Sequence, residues 1–317
     1  MIKFAIQRVG IGLAQIFVAL SIIFFAVRAV PGDPAVIIAS AAGGSGNVSL
    51  ETLERIRQSM GLDKPVLVQY FDNLKGVLVG DLGHSFQDNS SVAATIAQRL
   101  PNTIEIVVLG ALLGVLIGVA LGSWTGRGRH SVQLLGAGLT SLGLSVPVYV
   151  LGSLMVLVFA LTLGWLPTGG YADLSTDFGG HVQRLILPAV TLSGGFAAIV
   201  ARMTASSVRE VAQQDWVRTA RSIGLGRPQV FWGDVLRNAL NPVVTVIGLQ
   251  VGSLLGGTVL VERIFNWPGI GSLLVDAISQ RDYPIVQGVV VVVAIIFIAI
   301  NIVVDITYGL LDPRVRK

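Results

Sequence analysis

The sequence predicts an all-α protein that crosses a membrane about six times, and three observations carry that prediction. The 317 residues are 53% hydrophobic and 13% charged, their mean hydropathy is +0.76, and uncharged runs recur from one end to the other. A hydrocarbon core about 30 Å thick calls for roughly 20 apolar residues at about 1.5 Å rise each. Runs near this length lie at residues 9–27, 104–125, 132–163, 185–201, 242–261 and 285–304.

The first run follows Lys3 and Arg8, as a signal peptide would, but its apolar core is long and "VRAVPGDPA" offers no small-residue cleavage pattern. It is expected to be a retained span, so that residues 1–30 form an N-terminal transmembrane helix. Residues 31–100 form an extracytoplasmic insertion with short helices, and 101–317 form a core of five further spans. An insertion of this length is too long for a minimal connection. Its "SLETLERIRQSMGLDKPVLVQYFDNLKGVL" begins with a capping pattern at residues 49–54, and its apolar spacing predicts two helices broken between Gly61 and Pro65. The glycine-rich "GGSGN" at 43–47 follows no strand and reads as a flexible loop rather than a phosphate site.

Farther along, Gly110, Gly114, Gly118 and Gly122 recur every fourth residue, which predicts a face for close helix packing. In the fifth run "GLQVGSLLGG" places Gln250 and Ser253 on a second small-residue face; with Asn301 of the last run they are the candidate pathway-lining side chains. Between these two runs, Trp267 and Tyr283 suit a membrane interface. Pro268, Gly269 and Gly271 favour a bend before a short helix holding Leu273 and Leu274, interfacial or re-entrant in character. Glu262, Trp267, Asp276 and Asp282 are therefore assigned to an outer mouth, where the carboxylates either attract an amino group or keep the segment soluble.

Orientation follows from the positive charges in short loops. With both termini in the cytoplasm, that side holds Lys3, Arg8, Arg127, Arg129, Arg202, Arg209, Arg218, Arg221, Arg227, Arg237, Arg314, Arg316 and Lys317, and the other side Arg28, Arg184, Arg263 and Arg281. Thirteen against four supports that topology, with Arg55, Arg57, Lys64, Lys75 and Arg99 of the long insertion left aside. Arginines beside anionic lipid headgroups account for the net charge of +4, so no nucleic-acid partner is needed.

Several function classes lose support. There is no cysteine, hence no disulfide or cysteine-metal site. Lys3, Lys64, Lys75 and Lys317 are the only lysines and none follows a phosphate-cradling glycine loop, so ATP is not bound here by a P-loop. His84, His130 and His181 stand far apart, without metalloprotease spacing, and no Gly-x-Ser-x-Gly elbow occurs. Glu105 and Asp305 lie near span ends, where a headgroup or an arginine is the expected partner. An ion-coupled secondary carrier, the competing class, usually needs acidic residues or broken helices at mid-membrane. Uphill transport by this chain would therefore draw its energy from another subunit.

The stretch "DWVRTARSIGLGRPQVFWGDVLRNALNP", residues 215–242, which covers most of a loop assigned to 209–241, has more internal order than a plain connection requires. "VRTARS" reads as a short helix stopped by Gly224 and Gly226, and Pro228 suits the first turn of a second helix. Val230, Phe231, Val235, Leu236 and Leu240 fall near one face of that second helix, with Arg237 and Asn238 near its rim. An interfacial segment with snorkelling arginines and a docking knob for a soluble partner are both compatible with this pattern.

The stretch resembles the cytoplasmic signature loop, often called the EAA loop, of ABC importer membrane subunits. Arg218, Thr219 and Ala220 match its leading positions and Gly224 its central glycine. Arg218 stands where many importers carry glutamate, and Pro242 lies farther on than in the shorter form. "VPGDPA" from Val30, "GDLGHSF" from Gly80, "RLPNTIEI" from Arg99, "VERIFNWPGIG" and "RDYPIVQG" resemble the first permease subunit of dipeptide, oligopeptide and nickel importers, in order along nearly the whole chain.

The resemblance implies the type I, MetI-like permease fold and a candidate ATPase-coupling set of Arg218, Thr219, Ala220, Gly224, Leu225 and Arg237. It implies a second related permease, two ATPase subunits that hold ATP and magnesium, and a solute-binding protein received by the outer insertion, which otherwise is a solvated cap. This chain then carries no cofactor, metal or catalytic residue. Short peptides are the expected cargo, with nickel chelates, haem-like molecules and oligosaccharides as alternatives.

Overall fold

In lipid every backbone N–H and C=O must find its partner within its own segment, so long apolar runs fold as helices. A computed structural model describes residues 2–29, 35–36, 50–59 and 61–311. The expected cap at Ser49, the "GGSGN" loop, most of "VPGDPA", the side chain of Asp305, and Arg314, Arg316 and Lys317 lie outside the described residues. The chain divides into two units, 1–101 with 272–302 and 102–271 with 303–317.

In the first unit, α1 (Ile2–Ala29) is followed by α2 (Leu50–Ser59) and α3 (Val66–Val79). Pro65 stands at the N-cap of α3, and Gly80 ends it at φ 80. Tyr70 joins α3 to α1: its hydroxyl lies 2.7 Å from that of Ser21, and its ring packs on Phe24 and Phe25. The unit also holds the start of α4 (Val92–Arg127), most of α11 (Ile270–Ser279) and most of α12 (Tyr283–Leu311). Asp282 accepts hydrogen bonds from Ser85 Oγ and, at 3.1 Å, from Phe86 N, so "GDLGHSF" and "RDYP" form one junction.

The second unit is built around α7 (Phe178–Ala212), most of whose length is buried. Asp177 caps its first turn by accepting from Gly180 N at 2.8 Å. The predicted glycine ridge of α4 lies directly on α7. Cβ atoms added at Gly110, Gly114, Gly118 and Gly122 would meet Leu192, Phe196, Val200 and Ala201 at 3.1, 2.4, 2.6 and 2.5 Å. Gly126 extends the series to Val208. Small residues thus let two backbones approach where apolar burial gives no advantage over lipid tails.

The run at 132–163 is not one straight helix. It forms α5 (His130–Ser145) and α6 (Val148–Met155), the latter widening into a π-helical stretch over Val156–Thr162. The two arms bend by 100°, because Pro147 drives Val146 into an extended conformation (φ −82, ψ 117). Among the described residues five helices are long and apolar enough to span a membrane, or six if this bent pair counts as one.

After α8 (Asp215–Ser222), α9 (Arg227–Val230) passes through a π turn at Phe231–Val235 into α10 (Leu236–Ile264). The second helix of the charged stretch is therefore not a separate element. It is the first turns of a 38-residue candidate span, Arg227–Ile264.

Candidate functional site

The residues expected to couple to an ATPase gather at the Ala212 end of α7. Helix α8 has eight residues, too few to persist alone, so tertiary contacts hold it. Val217 points into a closed cluster with Val208 and Val211 of α7 and Val230, Val235 and Ala239, while Ala220 packs at its edge. Ser207 Oγ donates to Ala239 O at 2.7 Å and ties α7 to α10 beside this cluster.

The turn after α8 is closed by Gly224 N donating to Arg221 O at 3.1 Å and Leu225 N to Ala220 O at 3.2 Å. Gly224 takes φ +93, a left-handed backbone that glycine adopts without steric cost. Gly226 was expected to share that role and does not. Its φ of −61 and ψ of 141 are those of an extended N-cap before Pro228, which stands in the first turn of α9.

The opposite face is open. Arg218, Thr219, Gly224 and Arg237 are exposed, Leu225 is partly so, and Ile223 keeps 74% of its surface accessible at the tip. Arg218 approaches Asp215 at 3.8 Å with both side chains in solvent, a contact of little energetic weight. The element thus has a dry underside and a mixed polar and apolar outer face. Ile223 was not singled out in the sequence, although an isoleucine between Ser222 and Gly224 in a loop is the visible signal.

A second cluster lies toward the Phe178 end of α7, where the outer-mouth reading needs correction. Glu262 is fully buried: its carboxylate accepts from Thr103 Oγ1 at 2.7 Å, and Gly269 and Gly271 leave room for it. Thr103 Oγ1 in turn accepts from Ile270 N at 2.9 Å. Trp267 is likewise buried and donates through Nε1 to Asn102 O at 3.0 Å, while Asn102 Nδ2 donates to Pro268 O at 2.9 Å.

Neither Glu262 nor Trp267 faces a mouth; together they fasten the 262–271 bend to Asn102 and Thr103 of α4 within the second unit. In the first unit Asp282 is buried in its junction with Ser85 and Phe86, and Asp276 is half-buried. Burial of a carboxylate is tolerable because each is hydrogen-bonded.

Glu105 also has a partner other than the arginine or headgroup expected for it. His181, 1% exposed, places Nε2 at 2.8 Å from Glu105 Oε1 and Nδ1 at 2.7 Å from Ala172 O. Both ring nitrogens thus lie within hydrogen-bond distance of an oxygen atom. Tyr171 and Trp267 close the cluster with edge-on ring contacts to the imidazole. In the adjoining loop, hydrogen bonds from Ser175 hold the Asp173 carboxyl below its ordinary range.

The candidate pathway residues are dispersed. Ser253 is exposed and donates to Gln250 O at 2.6 Å, one turn earlier on α10, whereas Asn301 is half-buried on α12 and belongs to the other unit. Among the described residues no group of three or more His, Asp or Glu is placed to hold a metal ion.

The described residues hold five or six apolar spans and a glycine-stopped knob on a dry seat, features that fit a membrane permease subunit. The chain belongs to the family of binding-protein-dependent transport system inner membrane components, whose profile matches residues 95–317. The companion N-terminal profile of these membrane components matches residues 1–107.

It is 38% identical to the di/tripeptide transport system permease protein DppB of Pseudomonas aeruginosa, over 100% of this chain and 99% of that one. It is 39% identical to the glutathione transport system permease protein GsiC of Salmonella typhimurium, again over 100% and 99%. A crystal structure of an amino acid ABC transporter with histidines aligns at TM-score 0.49 and 16% identity, over 70% of this chain and 94% of that one. On the family match and the full-length relatives, the protein is a multi-pass inner-membrane permease subunit of an ABC importer with the MetI-like fold.

Proposed function

We propose that this permease carries short peptides and that residues 215–226 are where ATPase motion enters it. Full-length likeness to permeases named for di/tripeptides and glutathione supports the cargo. The observation that carries the coupling role is the two-faced element, with Val217 and Ala220 seated inward and Ile223 standing out. Apolar anchors ringed by polar groups are what a protein partner buries. Arg218, Thr219, Leu225 and Arg237 are the polar and partly apolar rim around it.

In this reading a second, related permease completes the pathway, two ATPase subunits dock below, and a binding protein delivers peptide from outside. The arginine asymmetry supports both termini, and the 215–226 element, on the cytoplasmic side. ATP binding closes the ATPases, the seated helix moves with them as a lever, and the bundles exchange outward for inward access. ATP and magnesium stay on the partner subunits, and no bond is made or broken in this chain. Gln250, Ser253 and Asn301 remain candidates for the pathway wall.

Two measurements test this. Equilibrium binding of labelled dipeptides, glutathione, nickel chelates and haem to the cognate binding protein identifies the cargo; retention of a chelate and no peptide would move the assignment to that class. For coupling, Gly224→Pro should leave the subunit in the membrane and abolish ATP-driven uptake, because proline fixes φ near −65° where +93° is needed. Undiminished uptake in that variant would exclude the docking role.

A further inference from the structure

One positive charge in the topology count has a specific environment. Arg127, the last residue of α4, holds its guanidinium carbon 5.1 Å from the ring centroid of Phe231 and 5.6 Å from that of Trp232. The two rings meet edge to face at 5.1 Å. Arg127 makes no ion pair among the described residues, and Trp232 is 58% exposed, so neither general burial nor a carboxylate accounts for the arrangement. Consecutive residues diverge strongly around an ordinary helix; Phe231 and Trp232 open the π turn Phe231–Val235, whose wider i→i+5 winding reduces the divergence and lets both rings serve one cation.

The location gives the contact its significance. Phe231 packs against the same cluster that seats Val217 of α8, and Gly126 lies on Val208 of that cluster. We infer that Arg127 is a positioning residue for transport coupling: its clasp on Phe231 and Trp232 joins the end of α4 to the wide turn entering α10, so that movement of α8 reaches both spans. This rests on the proposed docking of 215–226 to an ATPase. Arg129, two residues away, supplies the same topological charge and contacts no aromatic ring among the described residues, so topology alone does not call for the clasp.

The test uses the complete transporter, both permeases with ATPases and binding protein, in proteoliposomes, and reads labelled dipeptide imported per ATP hydrolysed. Arg127→Gln is expected to lower that ratio about five- to tenfold, the scale of a partly desolvated cation–π contact, with the ATPases still co-purifying. Arg127→Lys should recover most of the loss, and adding Trp232→Leu to Arg127→Gln should lower the ratio no further.

A wild-type ratio in Arg127→Gln, with Gly224→Pro uncoupled, overturns the role of Arg127 and leaves the docking reading standing. Wild-type ratios in both variants overturn the docking reading itself. Should Arg127→Gln fail to accumulate, Trp232→Leu alone carries the same predicted fall, and an unchanged ratio there overturns the inference.

Discussion

Gly224 and Glu262 illustrate how unevenly single residues declare themselves. A glycine after a short polar helix predicts a left-handed stop from local chemistry alone, and Gly224 is one, at φ +93. Gly226 carries the same letter and is extended, because Pro228 makes it the start of the next helix rather than the end of the last. Gly224→Ala should therefore cost about 1 kcal/mol and Gly226→Ala less, compared by melting temperature of the purified transporter.

Glu262, Asp282 and Trp267 read as surface residues by type, yet each is buried. Their partners are Thr103, Ser85 and Asn102, each more than 150 residues away, and no local pattern encodes such pairing. The same holds for Glu105 and His181, 76 positions apart. Glu105→Gln and His181→Gln should each lower stability by about 1–2 kcal/mol, discounted for the one-third exposure of the Glu105 side chain. The double variant should cost less than the sum, and strict additivity in thermal melts would show that the two do not act as a pair.

At the scale of elements, periodicity and small residues were the legible signals. The glycine repeat of α4 announces a packing face, and the face meets α7. Gly122→Ala is expected to destabilise by about 1–3 kcal/mol, since its Cβ would lie 2.5 Å from Ala201 O. Gly138→Ala, with nothing within 4 Å, should be neutral or slightly stabilising; equal melting temperatures for the two variants would dissociate the ridge from stability.

Less legible was the bend between α5 and α6. An uncharged run of more than 30 residues satisfies a length rule, and the single proline that splits it carries little weight in a count of apolar residues. The π turn at Phe231–Val235 has no sequence signature at all. Helix α8 depends on its seat, so Val217→Asp should release it: proteolysis near Ser222 should quicken while the spanning helices stay protected, and unchanged protection would show the helix to be held otherwise.

For the molecule as a whole, composition excluded the most and specified the least. Hydropathy and scarce charge pointed to an all-helical membrane protein, and the scarcity of mid-membrane acidic residues gave the expectation that energy for uphill transport comes from another subunit. Motif order along the chain brought the family within reach. The pathway wall stayed illegible because, in the proposed assembly, Gln250, Ser253 and Asn301 would line a pathway only against a second subunit. The central claim is that transport through this chain is powered by a partner ATPase.

It is tested most directly by importing a labelled dipeptide into proteoliposomes that hold both permeases, with and without the ATPases, ATP and binding protein, under an imposed ion gradient. Uptake is expected only when ATPases, ATP and binding protein are all present. Accumulation driven by the gradient alone, in vesicles lacking any ATPase, would contradict the account.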